Sequence, residues 1–307
     1  MQRFTAACAQ FAIAPMDTAA NVATASAWIR RAAEQTGAQL IVLPETVTTG
    51  FVPTIGPLEL WDVVDEIPGR LSEPIQKVAQ AVGAYVVLPS YERGAQRGVV
   101  YNAAALLGPS GDVLGIYRKT HLFPTERISG PAAAGAGCSN GWSTPGHEPV
   151  VIQTPLAAIG ITICYDGDFP ELFRAEAIMG AEVIVRPSAL LRSFEIWELT
   201  NRARAYDNHV YMVATNSVGP DAGGGYYFGH SMIVNPIAWR LAQARGSEEI
   251  IAAKLNPDPL RYVTTGSNSP QVFDHLQDRN LELYCESLKE ARSRFEIGKS
   301  FYKNKEG

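Results

Sequence analysis

Several features that mark whole classes of protein are scarce or missing from this sequence. Its four cysteines lie far apart and form no Cys-x-x-Cys pair, so neither a disulfide framework nor a zinc site is predicted. Its net charge of −5 argues against nucleic acid or an anionic membrane as the main partner. No run reaches the roughly 18 apolar residues of a membrane span, and the N-terminus lacks the pattern of a secretion signal. We therefore expect a soluble cytoplasmic protein.

What is present is the composition of an ordinary globular protein, with 46% hydrophobic and 19% charged residues in a chain of 307. Apolar runs of strand length alternate with segments of helical spacing. The predicted strands include Phe4 to Gln10, Gln39 to Pro44, Tyr85 to Pro89, Val99 to Leu107, Val113 to Arg118, Val183 to Val185 and Val210 to Thr215; the predicted helices are Asn21 to Gln35, Leu71 to Val82, Pro170 to about Met179, and about Glu195 to Asn208. This pattern predicts one domain of two packed sheets with outer helices over residues 1–277, and a tail over 278–307.

The stretch Gly160 to Glu171, GITICYDGDFPE, predicts a turn that presents a nucleophile. The β-branched run Ala157 to Cys164 suits a strand buried on both faces, which we expect to end at its cysteine. Asp166 and Asp168 are candidate caps for the helix that follows. A cysteine between a strand and a helix lies near backbone N–H groups that lower a thiol pKa or hold an oxyanion. On this stretch alone, a cysteine that is merely a small buried hydrophobe is an equal alternative.

Polar residues follow three of the apolar strands. Glu45 comes after LIVLP, Lys119 after the hairpin strand that ends IYR, and Cys164 after GITI. Strand ends on one side of an α/β sheet are where functional sites gather. Taken singly, Glu45 is explained as a cap or ion-pair partner, Lys119 as a solvated strand end and Cys164 as core. Jointly those explanations require three coincidences, so we expect the three side chains to form one site.

These motifs resemble those of the nitrilase, or carbon–nitrogen hydrolase, superfamily over nearly the whole chain. The similar stretches are LIVLPE (Leu40 to Glu45), GIYRKTHLF (Gly115 to Phe123), GITICYDGDFPE (Gly160 to Glu171), AEVIVRPS (Ala181 to Ser188) and GHSMIVNP (Gly229 to Pro236). The resemblance implies an α/β fold, a four-layer αββα sandwich in which two packed mixed sheets carry outer helices. It also implies a Glu-Lys-Cys triad of Glu45, Lys119 and Cys164, and a homodimer or a larger even homo-oligomer.

The chemistry of these residue types fits that triad. A thiol of ordinary pKa is mostly protonated at neutral pH, so Glu45 is needed as general base. The Lys119 ammonium and the N–H of Tyr165 would hold the oxyanion, and a Cys164 thioester would then be hydrolysed by water that Glu45 activates. Glu126 resembles a second glutamate that many family members carry beside the triad, where it holds the lysine or orients the substrate. The alternative for Glu126 is an exposed loop carboxylate.

Further residues are candidates for binding the substrate, namely Trp142, Asp166, Phe169 and Arg186. Aromatic residues at such spacing are more often core. Arg186 would either recognise a substrate carboxylate or pair with Glu171 or Asp168, and we favour the structural pair. The long loop from Gly130 to Gly146 is either a surface insertion or a functional segment. The sequence therefore does not predict which residues form the wall of the pocket on this side.

We therefore expect an enzyme, a thiol amidohydrolase that releases ammonia from a small-molecule amide. The wording DGDFPE is similar to aliphatic amidases and formamidases, whereas QDRNLELY, Gln277 to Tyr284, is similar to ω-amidases and aminopentanamidases. Alternatives are an N-carbamoyl amino acid or amine hydrolase, a nitrilase of the same superfamily, or a catalytically silent thiol or binding protein on the same fold. No metal cluster or dinucleotide fingerprint occurs, so no cofactor is predicted.

Overall fold

The computed structural model describes residues 1–52, 55–127, 141–220, 224–257 and 274–284. Within these ranges the strands are β1 (Phe4–Gln10), β2 (Leu40–Val42), β3 (Tyr85–Arg93), β4 (Val100–Leu107), β5 (Val113–Arg118), β6 (Val151–Gln153), β7 (Ala158–Ile161), β8 (Val183–Ser188), β9 (Tyr211–Asn216), β10 (Val218–Pro220), β11 (Tyr226–Phe228), β12 (Met232–Val234), β13 (Arg240–Gln243) and β14 (Glu249–Leu255). The helices are α1 (Thr18–Thr36), α2 (Pro57–Val63), α3 (Glu73–Val82), α4 (Pro170–Ile178), α5 (Phe194–Asn208) and α6 (Leu281–Tyr284), and a 3-10 helix covers Cys164–Asp168.

Among the described residues, all strands except β10 and β11 form two mixed sheets, and β10 pairs with β11. The first has the order β14-β1-β2-β3-β4-β5, and the second has the order β13-β12-β9-β8-β7-β6. At the centre of each sheet three strands run parallel, β1, β2 and β3 in the first and β7, β8 and β9 in the second. Parallel neighbours need a crossover, which the helices between them provide. Antiparallel neighbours that are consecutive in the chain, such as β3–β4, β4–β5, β6–β7 and β12–β13, are joined by hairpins, whereas β14 pairs with β1 from the other end of the chain. The parallel strands of each sheet therefore end on one common edge.

Alternate side chains of the central strands face opposite layers. On β1, Ala7 and Ala9 face a core that they share with Trp28 and Ile29 of α1. Cys8, between them, faces a core that it shares with Val213 of the second sheet. Helices α4 and α5 cover the far side of that sheet. The prediction of a four-layer αββα sandwich is confirmed.

The sequence shows where several helices begin and end. Helix α1 begins after Asp17, whose carboxylate accepts the Ala20 N–H, and ends at Gly37 with φ of 64°. Helix α5 begins after Ser193, whose hydroxyl accepts the Ile196 N–H. Helix α4 begins with Pro170, as predicted. These local signals fix helix ends, while the strands that the helices cover depend on apolar burial.

The structure corrects some of the predicted elements. The strand before the nucleophile ends at Ile161, because the chain turns into the 3-10 helix at Cys164. Asp166 and Asp168 do not cap α4, whose N-cap is Phe169 and has no side-chain hydrogen bond. Helix α2 and the short hairpin β10–β11 were not predicted. Residues 130–140 of the Gly130–Gly146 loop and residues 285–307 of the tail lie outside the described ranges.

In the part of the chain that the structure describes, none of the helices combines the length and apolar character needed to cross a membrane.

Candidate active site

Glu45 lies three residues beyond β2 and is fully buried. Its Oε1 accepts hydrogen bonds from Lys119 Nζ at 2.8 Å and from Asn102 Nδ2 at 2.8 Å. Its Oε2 accepts the backbone N–H of Ala189 at 2.8 Å, just after β8 of the opposite sheet. Both carboxylate oxygens are therefore held by donors from two different sheets, which fixes the orientation of this side chain.

Lys119 follows β5 directly and its side chain is also fully buried. Its Nζ lies 2.8 Å from Glu45 Oε1 and 2.6 Å from Glu126 Oε2. Burial alone would lower the pKa of Lys119, but the charges of Glu126 and Glu45 outweigh it and hold that pKa well above its ordinary value. The lysine is thus a permanent ammonium ion, and two of its three N–H groups are used by the carboxylates.

Glu126 is fully buried beside Lys119, so its interpretation as an exposed loop carboxylate is wrong. The Phe123 N–H donates to Glu126 Oε2 at 3.0 Å. Burial raises the pKa of Glu126, and the Lys119 charge opposes that rise. The carbonyl oxygen of Glu126 accepts the N–H groups of Trp142 and Ser143, so the chain on both sides of the 128–140 segment meets at this residue.

Asn102 was missed by the sequence analysis. Its amide Nδ2 donates to Glu45 Oε1 and to Glu126 Oε1, both at 2.8 Å, and so bridges the two carboxylates. It lies on β4, whose sequence is VYNAAALL, and is fully buried. The signal that identifies it is one amide in an otherwise apolar strand, because a buried amide needs polar partners.

Cys164 begins the 3-10 helix with φ of 46°, in the left-handed region that non-glycine residues rarely adopt. Burial raises the pKa of its thiol to about 12, and the nearby charge of Glu45 contributes to the rise. The charges of Lys119 and Arg186 and a hydrogen bond from the Ala189 backbone act in the opposite direction. Cys164 therefore lies within electrostatic reach of the Glu45–Lys119 pair, and its thiol is protonated at neutral pH.

Arg186 on β8 holds the cysteine turn through its backbone. Its Nε and Nη2 donate to the carbonyl oxygen of Cys164 at 2.9 and 2.7 Å, and its Nη1 donates to Thr200 and Asn201 on α5. The side chain is fully buried. A Cβ on Gly167 would lie 1.9 Å from the Arg186 Cζ, so only glycine lets the guanidinium approach the turn this closely. The structure therefore directs Arg186 toward the backbone of Cys164.

Among the described residues, Arg186 forms an ion pair with neither Asp168 nor Glu171. The structural pair that we favoured from the sequence is therefore wrong. Asp168 forms a bidentate ion pair with Arg192, at 2.8 Å for both oxygens. Glu171 lies in the exposed first turn of α4.

Asp166 ties the cysteine turn to the first sheet. Its carboxylate accepts the hydroxyl of Tyr117 at 2.8 Å, the backbone N–H of His121 at 3.0 Å and the backbone N–H of Ile163 at 2.9 Å. Phe169 stacks on the His121 ring at a centroid distance of 3.9 Å. The structure thus places Asp166 in the support of the turn, where it is fully buried, and Phe169 against the same support.

A small pocket of about 40 Å³ opens at Cys164. Its walls are mostly apolar and come from the segments after β2, β5, β7 and β8. They include Phe51, Phe123, Tyr165, Leu190, Leu191 and Arg192. Trp142 lies behind this wall, where its ring contacts Phe51 at 5.3 Å and its indole N–H donates to Tyr91 at 2.8 Å. Of the predicted site residues, Tyr165 therefore lines the pocket, while Trp142 supports one of its walls.

An αββα sandwich with a cysteine turn beside a buried glutamate–lysine pair has the organisation of a nitrilase-type hydrolase, and comparison with known proteins agrees. The model of the carbon-nitrogen hydrolase family matches residues 5–263. The omega-amidase NIT2-A of Xenopus laevis is 35% identical over 259 residues, which cover 83% of this chain and 90% of that protein. The chain belongs to the carbon-nitrogen hydrolase family, within the nitrilase superfamily.

Solved structures of the same fold are also similar. A carbon-nitrogen hydrolase from Helicobacter pylori G27 has a TM-score of 0.78 over 94% of this chain and 99% of its own, at 23% identity. A variant of the amidase from Nesterenkonia sp. AN1 in complex with butyramide has a TM-score of 0.71, covers 91% of this chain and 95% of its own, and is 25% identical. The protein is thus a hydrolase of carbon–nitrogen bonds outside peptides, similar to amidase and ω-amidase members of its family.

Proposed function

We propose that this protein is a thiol amidohydrolase that cleaves a small carboxamide to a carboxylic acid and ammonia. Cys164 is the nucleophile, Glu45 the general base and acid, and Lys119 the stabiliser of the oxyanion. The observation that carries the proposal is the fully buried Lys119–Glu45 pair, at 2.8 Å, within electrostatic reach of a cysteine on a strained turn.

The pKa of the thiol decides how the nucleophile is activated. With a pKa of about 12, only about one Cys164 in 10⁵ is a thiolate at pH 7, which is too few for a preformed nucleophile. The proton must therefore leave as the sulfur attacks, and Glu45 is the carboxylate whose charge is felt at the thiol. The Ala189 N–H, which donates to Glu45 and lies against the thiol, keeps the base beside the nucleophile.

Attack of Sγ on the amide carbon forms the S–C bond and moves the carbonyl π electrons onto oxygen. The third N–H of Lys119 and the N–H of Tyr165 are the donors that we assign to this oxyanion. Glu126 supports the role of Lys119, because a second carboxylate at 2.6 Å keeps the ammonium in place throughout the reaction. Glu126 is thus assigned as a positioning residue.

The proton that Glu45 took from the thiol is transferred to the amide nitrogen as the C–N bond breaks, and ammonia leaves. The acyl group remains on Cys164 as a thioester. Water then attacks the thioester carbon and gives a proton to Glu45, the C–S bond breaks, and the sulfur recovers that proton from Glu45. Each half-reaction therefore returns Glu45 to the carboxylate, which gives ping-pong kinetics.

The substrate class is inferred from the pocket and from the relatives. The mostly apolar walls beside Cys164 suit a short carbon chain next to the amide. The butyramide complex of the Nesterenkonia amidase and the name of the Xenopus omega-amidase both support an amide as the group cleaved. A small carboxamide is accordingly our proposed substrate, and a homo-oligomer in the cytoplasm stays a prediction.

Ammonia release from butyramide, an N-carbamoyl amino acid and butyronitrile tests the proposal, with a chelator present throughout. Three proteins are compared: wild type, Cys164→Ala and Cys8→Ala. Cys8 is a matched control because burial raises its pKa to about 12 as well, while it lies between the two sheets with its Sγ on the Ala214 carbonyl. We expect ammonia from butyramide with wild type and Cys8→Ala and none with Cys164→Ala. Glu45→Gln should also release no ammonia, and its intact mass after incubation with butyramide should show no acyl group, because formation of the thioester itself needs the Glu45 carboxylate.

Ammonia release that persists in Cys164→Ala would contradict the assignment of the nucleophile. Turnover of the carbamoyl compound or the nitrile, with butyramide left intact, would show that the substrate is a carbamoyl compound or a nitrile and not a carboxamide. Loss of activity in Cys8→Ala to the same degree as in Cys164→Ala would indicate a folding defect common to both variants.

A further inference from the structure

The pocket at Cys164 contains one charged side chain among its described lining residues, and that charge is already paired. Arg192 lines the pocket, and its guanidinium lies 5.5 Å from the centre of the Tyr165 ring. Its Nη1 and Nη2 donate to the two oxygens of Asp168, both at 2.8 Å. The side chains of Arg192 and Asp168 are 31% and 24% exposed, so the pair is not part of the core, and Arg192 is its member that lines the pocket.

The pair joins the two segments on which the proposed reaction depends. Asp168 closes the 3-10 helix that begins at Cys164, and Arg192 lies three residues after Ala189, whose N–H holds Glu45. Arg192 is also close enough to Cys164 and Tyr165 for their charges to act on its pKa. An acyl chain attached to Cys164 would therefore extend between apolar walls toward this ion pair.

The geometry of the pair limits what Arg192 offers to a substrate. A bidentate contact through both Nη atoms uses one edge of the guanidinium, and the carboxylate of Asp168 cancels its charge. A second carboxylate, carried by the acyl chain, would meet one remaining edge of the guanidinium and also the like charge of Asp168. An acyl chain with an uncharged end needs no free edge of the guanidinium and is not repelled by Asp168. The pair therefore discriminates between acyl groups by their charge.

We propose that the Asp168–Arg192 ion pair sets the acyl specificity of this enzyme, with Asp168 masking Arg192 so that uncharged acyl chains are preferred over chains that end in a carboxylate. The inference rests on the proposed function, since it assigns a specificity to the same site. It makes Asp168 the residue that separates the two substrate classes, although Asp168 does not touch the reacting bond.

Two amides of equal chain length measure this preference. Butyramide ends in a methyl group, and succinamate is the same chain with that methyl replaced by a carboxylate. The measured quantity is the ratio of kcat/KM for succinamate to kcat/KM for butyramide, in wild type, Asp168→Asn, Arg192→Gln and the double variant. Asp62→Asn is the control, because Asp62 forms an exposed ion pair with Arg97 away from the pocket.

We expect wild type to prefer butyramide. Asp168→Asn should raise the ratio at least tenfold because it unmasks the Arg192 charge, and Arg192→Gln should lower it because it leaves Asp168 unpaired. The double variant should return toward the wild-type ratio, and Asp62→Asn should not change it. A merely structural ion pair would affect both substrates equally and would leave all ratios alike.

An unchanged ratio in active Asp168→Asn, or a shift of the same sign in both single variants, would overturn the inference. A wild type that prefers succinamate tenfold would overturn it even if Asp168→Asn failed to fold. These results leave the proposed function standing, because the enzyme is still an amidase. Wild type that acts on neither amide and carries no acyl group on Cys164 would instead overturn the proposed function, and this inference with it.

Discussion

Replacing Asn102 by leucine tests whether its amide positions the carboxylates of Glu45 and Glu126. The substitution removes two hydrogen bonds of 2.8 Å, one to Glu45 and one to Glu126, and keeps nearly the same volume. A hydrogen bond to a charged group contributes roughly 1.5–3 kcal/mol, so the two together contribute about 3–6 kcal/mol. If about 2 kcal/mol of this is lost from the transition state, kcat/KM falls about thirtyfold.

The pH profile separates positioning from general destabilisation. The Asn102 hydrogen bond lowers the pKa of Glu126, which burial raises, so Asn102→Leu should raise that pKa further. Once Glu126 is protonated it no longer holds Lys119 as an ion pair, and activity is lost as pH falls. The acid limb of kcat/KM for butyramide should therefore move to higher pH in the variant.

Asn21→Leu is the matched control. Asn21 is also buried, and its amide donates to the carbonyl oxygens of Ala14 and Thr48 and to no carboxylate. It should lose a comparable amount of stability in urea without a shift of the acid limb. If the acid limb stays fixed in Asn102→Leu, or moves equally in both variants, the bridging role of Asn102 is refuted.

Two further predictions concern the support of the site. Gly167→Ala should destabilise the protein by several kcal/mol and lower kcat, since its Cβ would displace Arg186, whereas Gly56→Ala, with open space around its Cβ, should be nearly neutral in urea titration. Glu176 is fully buried and forms no ion pair among the described residues, and burial raises its pKa well above the ordinary value although the backbone of Ile161 and Val150 opposes the rise. Since the folded pKa exceeds the unfolded one, the folded state binds the extra proton, and stability is lost as pH rises above about 4.5. Glu176→Gln should reduce the slope of the unfolding free energy against pH by up to about 1.4 kcal/mol per pH unit. An unchanged slope would contradict the raised pKa of Glu176.

The strands and their order along the chain were readable from sequence because burial on both faces leaves a continuous apolar run. β1 was predicted at its observed bounds, Phe4–Gln10, for that reason. Helix α2 was missed because seven residues carry too little periodicity. The short hairpin β10–β11 adjoins the 221–223 segment outside the described ranges and lacks an apolar run.

The proximity of Glu45, Lys119 and Cys164 was predictable, because each is a charged or nucleophilic side chain that follows an apolar strand. How deeply a polar side chain is buried could not be predicted from the sequence. Asp166 and Arg186 were candidates for binding substrate, with a structural ion pair favoured for Arg186, yet both side chains hydrogen-bond to the backbone of the cysteine turn. The sequence analysis also missed backbone donors. The Ala189 N–H holds Glu45, but the alanine side chain gives no indication of this role.

The proposed base and the proposed nucleophile follow strands of different sheets, so polar groups near them are needed to hold the two sheets in register. Glu45 follows β2 of the first sheet, whereas Cys164 follows β7 of the second. Hydrogen bonds link the two sheets directly: Glu45 N donates to the Ser188 carbonyl at 3.3 Å, and the Thr215 hydroxyl donates to the Val42 carbonyl at 3.2 Å. The separation of base and thiol is therefore set by how closely the two sheets pack, and a close-packed interior resists changes in that spacing. In this architecture the apolar core between the sheets is itself part of the positioning machinery, because loosening it would move the base away from the thiol without altering either residue.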